Sequence, residues 1–113
     1  DVTVLDWSAC VRMCQGDAAT ARELLSLLAA DLKETAPLLA NDYANKNTTA
    51  LRDTLHRLRG GVCYLKAPQL DHALKMFHEA VKAEPQNQQH VDKTYIALQQ
   101  AIDAFQKAWK TKF

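Results

Sequence analysis

Glycine and proline are scarce in this chain, three of each in 113 residues. That scarcity argues against an all-β sandwich, a collagen-like repeat or a flexible linker, all of which use these residues heavily. Charge of one sign is lacking too: 14 Lys and Arg against 13 Asp and Glu leave a formal net charge of +1. No global basic field gathers nucleic acid or anionic lipid, so electrostatic recognition has to be local. No apolar run approaches the ~20 residues that span a bilayer, and the N-terminus DVTVLDWSAC lacks the basic start and apolar stretch of a signal peptide. Cysteine is sparse and odd in number, Cys10, Cys14 and Cys63. A disulfide framework is therefore not expected, and a reducing, cytoplasmic setting fits better.

What the chain does have is hydrophobic periodicity at spacings of three and four. Asp6 is placed to cap a short helix over about residues 7 to 15, which Gly16 stops, and Asp17 to cap a long one over about 18 to 44. That long helix carries Ala21, Leu24, Leu25, Leu28, Leu32, Leu39 and Tyr43, with Pro37 removing one backbone donor. Asn47 or Thr48 opens a third helix with Leu51, Leu55, Leu58, Val62 and Leu65 on one face, and a break at Lys66 to Pro68 precedes a fourth with Leu70, Ala73, Leu74, Phe77, Ala80 and Val81. A fifth helix beginning near His90 repeats Val91, Tyr95, Leu98, Ile102, Phe105 and Trp109. The expected fold is all-α: an antiparallel up-down-up-down four-helix bundle with a short extra N-terminal helix at one end, a single domain over 1–113.

The informative residues are those that cost stability without building this bundle. Gly60 and Gly61 interrupt TLHRLRGGVCYL, where each glycine is worse than alanine by roughly 1 kcal/mol inside a helix. With Leu51 set at zero and about 100° per residue, the core residues cluster near zero, while His56 falls near 140° and Gly60 near 180°. Arg52 and Arg59 lie at roughly 80° to 100°, Cys63 flanks the outer face, and Arg57 projects away from His56. An imidazole therefore stands on the outer face of a rigid helix, with a side-chain-free clearing beside it and guanidinium groups within reach. Neutral imidazole is a nucleophile near physiological pH, and a nearby cation steadies phosphoryl oxygens, so the pattern suits phosphoryl transfer to and from a protein partner. A solvated surface histidine is the plain alternative for His56 and tight helix packing that for Gly60, while for Gly61, which projects near a helix flank, tight packing is the expected role.

The stretch HRLRGGVCYLKAPQL, His56 to Leu70, resembles the signature of histidine phosphotransfer (HPt) domains: a phosphorylatable His, a basic or polar residue at i+3, Gly at i+4, Gly at i+10 and Leu at i+14. Within that family it resembles the C-terminal module of BarA/GacS-type hybrid sensor kinases. The resemblance implies a helical carrier, not an enzyme in itself. His56 would take a phosphoryl group from a receiver-domain aspartate and pass it to the aspartate of a response regulator, with Arg59 steadying the group and Gly60 giving the receiver clearance. Arg52, Cys63 and His78 are candidate docking residues. The resemblance implies no cofactor in this domain, Mg²⁺ being supplied by the receiver. Its partners would be receiver domains, with neither nucleic acid nor direct membrane contact, the isolated domain a monomer and the parent chain anchored in the inner membrane through segments not present here. Lys66 stands where the family usually has Gly, and His78 where several members place a Gln that bonds the phosphorylated imidazole.

Two rival readings come from other classes. Cys10 and Cys14 lie one helical turn apart, but no second pair matches them and His72, His78 and His90 do not share their face, so a metal site is disfavoured. A helical scaffold docking partners through the same outer face without phosphate is the alternative function. No glycine-rich nucleotide loop or nucleophile elbow is visible.

Overall fold

The computed structural model describes residues 3–62 and 65–112. They form five helices: α1 Trp7–Met13, α2 Ala18–Ala44, α3 Thr48–Val62, α4 Pro68–Lys82 and α5 Gln88–Lys112. The four long helices alternate in direction, each packing on the next, with α5 closing back on α2 and α1 resting on α2. This is the expected bundle with its short N-terminal helix.

The boundaries follow from local chemistry. The Asp6 carboxylate accepts the Ala9 N–H and that of Asp17 accepts the Thr20 N–H, each satisfying a donor that a helix start leaves orphaned. α1 stops at Met13, short of the expected 15, because Gln15 and Gly16 turn left-handed (φ 56° and 87°). There the Gly16 N–H reaches Val11 O at 2.9 Å and the Gln15 N–H reaches Arg12 O at 3.0 Å, a Schellman closure. α2 ends likewise at Lys46 (φ 54°), with the Asn47 N–H on Asp42 O at 2.9 Å, and it runs uninterrupted through Pro37. Asn47 then caps α3 by accepting the Ala50 N–H at 3.2 Å. Pro68 occupies the first turn of α4, where its missing N–H costs nothing.

The predicted stripes meet in one core, with Phe77, Phe105, Leu25, Leu32, Leu55, Leu58 and Leu74 sealed from solvent. Each such side chain contributes roughly 1.5–3 kcal/mol by leaving water. Leu24 departs from its stripe and is 39% exposed, beside Leu27 at 63%. Both lie on the wall of a shallow groove between α2 and α3.

α1 covers the end of the bundle where the α3–α4 link lies. The Asp6 N–H donates to Lys66 O at 3.0 Å, the Cys10 thiol donates to Leu65 O, and Lys112 Nζ sits 5.6 Å from the Trp7 ring centroid. Lys66 is left-handed (φ 52°), which explains why glycine is the family's residue there. The lysine keeps the turn at the cost of some backbone strain.

Candidate functional site

The α3 stripe Leu51, Leu55, Leu58 and Val62 is buried, and that anchoring decides where every other α3 residue points. His56 is exposed, Arg52 is exposed, Arg59 is half-buried and Gly60 is exposed. A Cβ built at Gly60 would meet nothing within 4 Å, so among the described residues no side-chain packing demands a glycine there. The same holds for Gly61, which corrects the expectation that it is a packing glycine: it faces the open groove lined by Leu24, Leu27, Leu28, Asp31 and Leu65. Both glycines lie in the last turn of the described part of α3, where the propensity cost is smaller than mid-helix. Cys63 lies outside the described residues.

The antiparallel arrangement of α3 and α4 brings His78, one of the candidate docking residues, to the histidine of α3. His56 and His78 are equidistant in sequence from Ala67, which lies in the link, so they stand at the same height on adjacent helices. Their ring centroids are 6.4 Å apart with planes at 62°. His78 is buried at 5% exposure, and its Nδ1 lies 3.1 Å from Arg59 Nη1. Burial holds its pKa below the usual histidine value, reinforced by the charges of Lys82, Arg59, His56 and Arg52. His56, Arg59, Arg52 and His78 are thus brought together, with Lys82 joining them from α4, and no carboxylate acts on His78. This local positive field suits an anionic group and does not suit a divalent cation. Among the described residues no cluster of three or more His, Cys, Asp or Glu could hold a metal ion. No described helix is long and apolar enough to cross a membrane.

Arg57 projects away from His56, as expected, and toward α2. Its Nη1 pairs with Asp31 Oδ2 at 2.8 Å and its Nη2 donates to Thr35 Oγ1 at 3.0 Å, pinning α3 to α2 on the side away from the histidines. Thr35 is itself buried and donates to Asp31 at 2.9 Å. Cys10 is buried and its thiol is pushed up to about 11, by burial first and then by Asp6 and Cys14, which makes it a structural thiol and not a reactive one.

The family model for the Hpt domain matches residues 18–108. The chain belongs to the Hpt domain family. Among curated proteins it is 31% identical over 99 residues to the sensor protein GacS of Pseudomonas syringae pv. syringae, an alignment that covers 88% of this chain and 11% of that one. It is 25% identical over 79 residues to the signal transduction histidine-protein kinase BarA of Shigella flexneri, covering 70% of this chain and 9% of BarA. The chain therefore spans about a tenth of the length of these relatives. No solved structure gives a significant match. As an Hpt domain with a sensor protein and a signal transduction histidine-protein kinase among its relatives, the chain has a role in two-component phosphorelay signalling.

Proposed function

We propose that this Hpt domain carries phosphate on His56, between the aspartate of a hybrid kinase's receiver domain and the aspartate of a response regulator. An imidazole nitrogen of His56 attacks the aspartyl phosphate, a P–N bond forms as the acyl P–O bond breaks, and the carboxylate leaves with the electron pair. Transfer onward reverses these changes on the second receiver. The observation that carries the reading is the exposure of His56 beside Gly60, whose Cβ position is open, with Arg52 and Arg59 one turn away on either side along α3. The open surface lets a second protein's backbone approach, and the cations favour the phosphoryl oxygens as charge spreads over them. The Mg²⁺ that transfer uses belongs to the receiver, since no cluster of three or more His, Cys, Asp or Glu among the described residues could hold a metal ion here. Nucleotide binding and autophosphorylation belong to other domains of a hybrid sensor kinase parent.

The test starts from a receiver domain charged with acetyl phosphate and Mg²⁺, mixed with the Hpt domain and a second, uncharged receiver. Phosphate reaching the second receiver only when His56 is present supports the reading. Equal transfer by His56→Gln would sink it, and binding without transfer by both forms would favour the scaffold.

A further inference from the structure

Only three polar side chains are buried among the described residues, Thr35, His78 and Thr94, and His78 is the one that ionises near neutral pH. A leucine at that place would be the ordinary choice for the α3–α4 seam, because an imbedded imidazole is costly unless hydrogen-bonded. Its partner is Arg59. A guanidinium keeps all its protons and can only donate, so Nδ1 of His78 is the acceptor and the neutral ring carries its proton on Nε2. Arg59 is thereby held by one N–H, one turn along α3 from His56, with its other donors uncommitted to His78.

We propose that His78 is a positioning residue for phosphoryl transfer: by accepting one N–H of Arg59 it fixes the guanidinium beside His56, so that the remaining donors meet the phosphoryl oxygens without first being ordered. The inference rests on the reading that His56 carries phosphate. It makes a demand that a plain core histidine would not, namely that Arg59 loses its placement whenever Nδ1 stops accepting. Protonation does this, turning Nδ1 into a donor and setting a second positive charge against Arg59. The charged and titratable groups facing His78 are Lys82 from its own helix and His56, Arg52 and Arg59 from α3, and none of them offsets an imidazolium.

The experiment uses phosphoramidate, a small donor whose P–N bond breaks as the new P–N bond to His56 forms, ammonia leaving with the proton that the imidazole gives up. Labelling rates are measured for the wild type, Arg59→Ala, His78→Leu, the double variant and His78→Gln, whose amide oxygen can accept but does not titrate. Arg59→Ala is expected to slow labelling about tenfold and His78→Leu by roughly three- to tenfold, with the double variant no slower than Arg59→Ala alone. His78→Gln should match the wild type at pH 7.5 and exceed it increasingly as pH falls through the depressed folded-state value of His78, below the usual histidine range. Multiplicative losses in the double variant, or parallel pH profiles for the wild type and His78→Gln, would overturn the inference while leaving His56 as the carrier. If His78→Leu fails to fold, the pH comparison decides alone. No label on wild-type His56 would overturn the carrier reading and this inference with it.

Discussion

Replacing Gly60 separates folding from function more sharply than any other change in this domain. Among the described residues nothing lies within 4 Å of a Cβ at that position, so alanine meets no clash there and leucine meets none at its Cβ. Either residue is a better helix former than glycine by up to about 1 kcal/mol, less here because Gly60 is in the last described turn of α3. Stability should therefore rise by about 0.5 kcal/mol, which for a domain of this size raises the melting temperature by roughly 2 °C. Helical side chains lean toward the N-terminal turn, so a leucine at 60 lies over the turn that carries His56. A receiver that must approach there meets a branched side chain in a clearing that was open, and forcing such a group into a close interface costs about 1–3 kcal/mol. That corresponds to roughly a five- to 150-fold loss in transfer. Circular dichroism melts and transfer from a charged receiver give the two readouts, and labelling of Gly60→Leu by phosphoramidate, which needs no protein surface, controls for the nucleophile. A lower melting temperature with lost helicity, or a receiver that transfers to Gly60→Leu at the wild-type rate, would refute the reasoning.

Three further outcomes follow from contacts seen in the bundle. Arg57→Ala removes an exposed ion pair to Asp31 and a hydrogen bond to buried Thr35, and should cost about 1–2 kcal/mol in denaturant unfolding while leaving the labelling rate within about twofold. Lys66→Gly relieves the left-handed strain at φ 52° and should stabilise by up to about 1 kcal/mol; a loss of stability would mean that the lysine side chain has a structural role. The depressed pKa of His78 makes folding oppose its protonation. The unfolded chain then binds more protons below about pH 6.5, so stability is complete above that value and declines as pH falls toward the folded-state value. Unfolding curves for His78→Gln should show a shallower decline across the same window.

The bundle was legible in the sequence because its evidence is periodic: the stripe from Leu51 to Val62 and that from Val91 to Phe105 each define a face, and the caps Asp6, Asp17 and Asn47 mark where helices begin. Leu24 broke its stripe because spacing alone cannot tell a core position from the wall of a groove between α2 and α3. His56, Arg59 and Gly60 were readable as neighbours because they share one helix. His78 and Arg57 were not, since their meaning comes from other helices. Two signals pointed to His56 and His78 facing each other: their symmetry about Ala67, and the resemblance, which sets His78 where several family members place a Gln that bonds the phosphorylated imidazole. Gly61 misled for the opposite reason: a glycine in a helix suggests a close neighbour, and here the space beside it is open.

The central claim, that His56 is the phosphate carrier, is tested most directly by locating the phosphoryl group. The domain is labelled from a charged receiver, kept at alkaline pH to preserve the acid-labile P–N bond, digested and mapped by mass spectrometry. A single phosphohistidine in the peptide containing His56, absent from His56→Gln, is the predicted result. A phosphoryl group on His72, His78 or His90 that persists in His56→Gln would contradict it.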